Sequence, residues 1–232
     1  TVYVNLDIGP QICISTDKFK LVSNTDIILK NNGKLENAVL LAINEAVSEV
    51  YKNYYLRKSI VNDPIYLREN TQNNLPAILN VNFSEKPGLH IEVNLKGGGS
   101  ENCSWLFMMN TSSTEEDIIK KVLEVVKMDV TKACPPVIIG LGIGSTASEV
   151  VKLAKKAVFR NLDIRNLNHR YALLENKILK EVNNTGIGPQ GIGGKTTALA
   201  CNIEFAPCHM ATLPLAVFFG CHSTRRADTV LI

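Results

Sequence analysis

Cys134 stands before a proline pair in KACPPV, and Cys208 and Cys221 stand in APCHMATLPLAVFFGCHSTRR, each followed directly by a histidine. Thiolates at such positions can serve as metal ligands. A cysteine beside two prolines is poor core filler, whereas Cys13, Cys103 and Cys201 lie in apolar company and read as core residues. Two further stretches, NLDIGP and LKGGGSEN, also set polar side chains against backbone that glycine or proline favours. Glycine loses more conformational freedom on folding than any other residue, so such clusters belong where the chain turns with positive φ or closes on a ligand.

GIGPQGIGGKTT (186–197) invites a nucleotide reading because glycines precede a Lys-Thr pair. A phosphate-binding loop requires a glycine, four free residues and then Gly-Lys-Ser/Thr. Counting back from Gly194 and Lys195, that glycine falls on Pro189, and the preceding KEVNNTGI is polar where a buried strand is required. GLGIGS at 140–145 likewise lacks the G-x-G-x-x-G spacing of a dinucleotide fold.

Patterning supplies the elements that must hold these stretches. Residues 1–22 alternate as two short strands around Gly9-Pro10, and apolar spacing predicts a helix from about 35 to 57, stopped by Asn62-Asp63-Pro64. AILNVNF and HIEVNLK read as a strand pair turned at Pro87-Gly88, the second running into Gly97-Gly98-Gly99-Ser100. STEEDIIKKVLEVVKMDVTK reads as a helix opened by Ser113 or Thr114 and acidic residues. The Val and Ile after the proline pair read as a strand that leads into a glycine-rich turn, followed by helices over about 146–160 and 168–182 and by the strands TALACNIEF and LPLAVFF. The expected class is α/β or α+β, mixed sheets packed with several helices, in one domain over 1–232.

Composition narrows the function classes. Hydrophobic residues make up 45% and charged residues 20%, as in a globular protein, and the net charge of +3 is too small to argue for nucleic acid. No apolar run approaches a membrane span, and the first residues lack the layout of a secretion signal, so a cytoplasmic location is expected. Six cysteines in a chain of this length then read as reduced thiols, metal ligands or core. An opening without methionine that already reads as a strand suggests that a segment precedes Thr1.

Taken together, NTQNNLPA, KGGGSEN, ACPP with IGLGIGST, GPQGIGGKTTAL, and PCHMATLPLAV ending in GCHSTRR closely resemble the class I, iron–sulfur-dependent fumarate hydratases and tartrate dehydratases, in their N-terminal or α-subunit part. The resemblance implies a fold like that N-terminal domain, a 4Fe-4S cluster held by three cysteines, and a partner β-subunit or C-terminal-type domain completing the site in an oligomer. It implies reversible hydration of a small hydroxy-dicarboxylate, fumarate/malate or tartrate, with an open iron as Lewis acid. Cys134 matches the second cluster ligand and Cys221 the third, with Cys208 a poorer match.

The first ligand is where the chain departs from that family. Its Cys-Gln-Asp-Thr-Gly word is here Asn5-Leu6-Asp7-Ile8-Gly9, so cluster binding would draw on Cys13, Cys208, another cluster type or a partner. A cluster-free, catalytically silent paralogue is the alternative. By the resemblance Asp7 is the acid, His209 lies near the reacting centre, and Arg57, Gly99, Ser100, Asn102, Lys195 and Arg225 bind substrate or its charge. Read from the residues alone, Asp7 is equally a turn cap, Arg57 a solvated helix end, His209 a satisfied core histidine and Arg225-Arg226 a surface basic run.

Overall fold

The computed structural model describes residues 1–8, 35–85 and 87–231. In chain order the elements are β1 (Val2–Ile8), α1 (Leu35–Asn53), β2 (Ile78–Phe83), β3 (Leu89–Leu95), α2 (Gly98–Glu101), β4 (Ser104–Met109), α3 (Glu115–Asp129), β5 (Val137–Gly144), α4 (Ala147–Phe159), α5 (His169–Asn183), β6 (Ala198–Ala206), β7 (Leu213–Gly220) and β8 (Arg225–Leu231). The α+β expectation holds: the described residues form two four-stranded mixed sheets and five helices. They form two compact units, Thr1–Leu95 with Arg225–Ile232, and Lys96–Thr224. The second strand expected within 1–22, with Cys13, lies outside the described residues.

In the first unit the strand order is β2-β1-β3-β8. The alternation in β1 divides the sheet: Val2, Val4 and Leu6 are buried in a core with Val39 and Tyr51 of α1, while Asn5 and Asp7 belong to the other face. Register carries that division across the sheet, so Asn80, Asn82, His90, Glu92, Arg226 and Asp228 share the polar face. The strand pair expected from AILNVNF and HIEVNLK does not form; β1 lies between them, parallel to β2 and antiparallel to β3. This places β1's apolar residues at the centre of the sheet, and the long connection through α1 suits a parallel pair. Helix α1 ends at Asn53 rather than near 57, because Tyr54 N–H makes the last helical bond to the Val50 carbonyl and Tyr55 turns to φ 54°.

In the second unit the order is β4-β7-β5-β6. β5 is buried at every position. Its Ile139, Leu141 and Ile143 join Ile118, Val122 and Val125 of α3 and Ile178 of α5 in one core. The alternate residues, Gly140 and Gly142, lie against α4: a Cβ at Gly142 would sit 2.1 Å from the Val150 carbonyl oxygen. Gly140 and Gly142 therefore admit a helix onto the sheet, and GLGIG continues β5 where a glycine-rich turn was expected. Thr114 caps α3 with a full capping box, as its sequence predicts.

The edge strand β6 is sealed by side chains. Glu175, 2% exposed, accepts from Ile203 N–H at 2.7 Å and pairs with Arg160, which also donates to the Ile203 carbonyl at 3.1 Å and pairs with Glu204 at 3.1 Å. Asn183 accepts from Thr197 and Ala198 N–H. These bonds satisfy outward backbone groups that another chain would otherwise pair with.

Candidate active site

Strand direction sorts the unusual segments of the second unit. β5 and β6 run parallel and β7 runs against them, so residues just before β5 and β6, just after β7 and just before β4 share one end of the sheet. Those residues are the KACPP segment, the glycine-rich loop, GCHST and GGGSEN. Cys134, Cys221, Gly99, Ser100, Asn102 and the exposed Lys195 are thus gathered at that end. His209 and Cys208 are not. They follow β6 at the opposite end, and the eight-residue β5 separates the two ends by roughly 25 Å. There His209 Nδ1 accepts from Ala211 N–H at 3.1 Å, which puts the proton of the neutral ring on Nε2, and the Cys208 thiol meets the Thr212 carbonyl.

Cys134 is exposed and left-handed, φ 56° and ψ 70°, closing a short 3-10 turn over Val130–Ala133. Its carbonyl accepts from His222 Nδ1–H at 3.0 Å, and the Pro135 carbonyl accepts from both Gln190 N–H at 2.8 Å and Gln190 Nε2–H at 3.2 Å. Cys221 begins a tight turn in which Thr224 N–H and its hydroxyl both donate to the Cys221 carbonyl. Ser223 N–H donates to the Cys221 sulfur at 3.3 Å, and the Ser223 hydroxyl lies 2.9 Å from it.

The glycine-rich loop is a wall of this region. Gly188 N–H donates to the Thr197 hydroxyl, Gln190 N–H to Pro135, Gly193 N–H to Ile187 and Gly194 N–H to Gly186, so its amides are committed within the fold rather than cupped toward a phosphate. Gly188, at φ 70°, allows the loop to close on itself: a Cβ there would lie 2.3 Å from the Gly193 carbonyl carbon.

GGGSEN forms a single helical turn pressed onto the cysteine segment, since a Cβ on Gly99 would meet the Lys132 carbonyl oxygen at 2.5 Å. Ser100 is 2% exposed and its hydroxyl donates to the Gly97 carbonyl, while Asn102 is exposed. The buried Cys103 thiol donates to the Gly99 and Asp129 carbonyls at 3.3 and 3.4 Å. An ionic network that sequence reading missed holds the turn: Lys96 and Lys155 each reach Glu101 at 3.0 Å. Opposite charges flanking GGGS were the available signal for Lys96 and Glu101; nothing in the sequence marked Lys155.

Burial alone would raise the Glu101 pKa, but the charges of Lys96 and Lys155 outweigh it and hold the carboxyl at about 2. A carboxyl depressed in the fold contributes stability above its unfolded value, about 4.3, and loses it as pH falls through its folded value. Urea titrations of the wild type are expected to show stability falling with pH between about 4 and 2. Glu101→Gln is expected to be less stable at neutral pH, and to flatten that part of the profile.

In the first unit Asp7 is exposed and its Oδ1 accepts from Asn82 Nδ2–H at 3.1 Å, while Asn5 Oδ1 accepts from Asn80 Nδ2–H at 3.0 Å. Asp7 is a sheet residue and caps no turn in its described contacts. Arg57 is exposed in the loop after α1, which the asparagines of NTQNNLPA organise: Asn70 donates to the Lys58 carbonyl and Asn74 accepts from Ser59 N–H. Arg225 opens β8, a strand that sequence reading missed, and Arg226 pairs with Glu92 at 3.3 Å and Asp228 at 3.7 Å.

Two thiols, Cys134 and Cys221, share one end of the second unit's sheet, and no group of three or more His, Cys, Asp or Glu residues fit to hold a metal occurs among the described residues. Asn5, which the resemblance sets at the first-ligand position, holds an amide bonded to Asn80. The described residues therefore do not complete the three-thiolate set of a 4Fe-4S cluster. Cys103 and Cys201 are core residues as expected, 0% and 4% exposed, and burial pushes both thiols up. With iodoacetamide under native conditions, Cys134, Cys208 and Cys221 are expected to label, and Cys103 and Cys201 only after unfolding, as read by mass spectrometry.

Residues 27–230 match the family model described as fumarate hydratase (Fumerase). The chain is 39% identical over 194 residues to the putative L(+)-tartrate dehydratase subunit alpha of Methanocaldococcus jannaschii, covering 82% of this chain and 67% of that protein. It is 31% identical over 192 residues to the L(+)-tartrate dehydratase subunit alpha of Escherichia coli strain K12, covering 82% and 63%. It thus spans about two thirds of the length of these relatives. With the matched region taking in the whole sheet of the second unit and every segment gathered around Cys134 and Cys221, the chain belongs to the fumarate hydratase (Fumerase) family.

Proposed function

We propose that residues 1–232 are the α-subunit-type part of a hydro-lyase that reversibly hydrates a small hydroxy-dicarboxylate of the fumarate/malate or tartrate type. The convergence of KACPP, GCHST, GGGSEN and the glycine-rich loop on one end of a single sheet carries this reading. Asp7 is its acid, Arg57 and Arg225 hold substrate carboxylates through forked donors, and the Gly99 turn and Lys195 contribute backbone and charge. His209 takes part only in a setting that uses the far end of that sheet. The relatives named as alpha subunits support a β-type partner that completes the enzyme, and exposed thiols suit the reducing cytoplasm. Among the described residues no helix is long and apolar enough to cross a membrane.

Cys134 and Cys221 are the thiolates available to iron, and a cubane in this chain would take its third protein ligand from Cys13 or from the partner. The Asn5–Asn80 amide pair favours a second reading, a cluster-free paralogue that binds dicarboxylate or regulates. Iron and sulfide analysis of protein purified without oxygen, together with hydratase assays in the presence of the β-partner, separates them. Near-equal iron and sulfide with fumarate or tartrate turnover is the expected result. Colourless, inactive protein after reconstitution with iron and sulfide would sink the enzyme reading.

A further inference from the structure

We propose that His222 and Gln190 are positioning residues that clamp the Cys134-Pro135 segment and so set the spacing of Cys134 from Cys221; this rests on the reading of those two cysteines as the ligand pair. A non-glycine residue at φ 56° is disfavoured and persists only where its surroundings over-determine it. Two successive carbonyls at this point are captured from opposite segments. The Cys134 carbonyl is held by His222 Nδ1–H, from the residue next to Cys221, and the Pro135 carbonyl by two donors of Gln190 in the glycine-rich loop.

His222 therefore links the two cysteine turns through one hydrogen bond, and the Cys221 turn is itself closed by Thr224 and Ser223. Gln190, at φ 55°, fixes the next peptide, whose carbonyl belongs to Pro135. With both clamps in place the Cys134 backbone keeps its left-handed conformation at that end of the sheet. In GPQGIGG the glutamine rather than the lysine is then the residue that reaches the cysteine segment.

The test is thiol-to-thiol bridging of the purified chain with dibromobimane, which fluoresces only after both its arms react, with the bridged pair identified by mass spectrometry. The wild type is expected to bridge Cys134 to Cys221. His222→Ala is expected to lower that yield about fivefold, the factor that one hydrogen bond supplies. His222→Asn, whose Nδ2–H stands where Nδ1–H stood, is expected to restore it. Gln190→Ala keeps its backbone donor and is expected to lose less.

Single-arm labelling of Cys208, at the far end of the sheet, and Trp105 fluorescence report whether each variant remains folded. An unchanged bridge in folded His222→Ala, no Cys134–Cys221 bridge in the wild type, or equal loss in the Asn and Ala variants would overturn the proposal. The ligand reading fails separately, in the iron and sulfide analysis, and leaves the bridging result untouched.

Discussion

Glu175→Ala is expected to lower the stability of the second unit by about 3–5 kcal/mol, the cost of removing one partner from a buried ion pair. Glu175 is 2% exposed, and it simultaneously pairs with Arg160 and accepts from Ile203 N–H and Asn166. Its removal leaves a buried backbone donor unpaired and takes one of the two carboxylates from the guanidinium that joins the end of α4 to β6. Glu204 still pairs with Arg160, which places the expected cost toward the lower part of the range. Trp105, the single tryptophan, lies in β4 of the same unit, so its fluorescence in urea reads the loss as a lower midpoint with an unchanged slope. A shift below about 1 kcal/mol would mean that the apolar contacts and the Asn183 bonds suffice to hold α5 on β6.

Asp7→Asn is expected to reduce kcat of the assembled hydro-lyase by about 10²- to 10⁴-fold, the usual contribution of a general acid or base. The amide fits the place of the carboxylate and still accepts the Asn82 bond, so folding is expected to be nearly unaffected. That pairing of outcomes separates a proton-transfer role from a role in the sheet's polar ladder. Unchanged turnover would place the acid elsewhere, and a large loss of stability would make Asp7 a structural residue. Asn82→Ala, which removes the bond while keeping the carboxylate, is expected to reduce turnover less than Asp7→Asn.

Local chemistry made much of this protein legible without coordinates. The apolar period of α3, its start at one of Ser113 and Thr114 and the Val/Ile start of β5 each depend on neighbouring residues only and stand where the sequence places them. So do the core assignment of Cys103 and Cys201 and the motif words that carry the family. By contrast, α3 gives way to a 3-10 turn after Asp129, and β5 runs on through glycines that read as a turn. What the sequence left open was decided by pairings between distant segments. β1 inserts between β2 and β3, although the short connection between them suggested a hairpin, because burying Val2, Val4 and Leu6 beneath α1 outweighs proximity along the chain. β8 escaped notice because an exposed, charge-rich edge strand has no apolar period to read.

For the site, the cysteine-bearing stretches and the family resemblance nominated Cys134, Cys221, Cys208 and His209 together. Only strand direction parts them: the antiparallel return of β7 carries Cys221 back to Cys134 and leaves Cys208 and His209 at the other end of the sheet. Glycines that looked alike in sequence also separate in space. Gly140 and Gly142 make room for a helix, while Gly188 allows the loop beside Cys134 to close, because what a missing Cβ permits depends on the atoms it would have met.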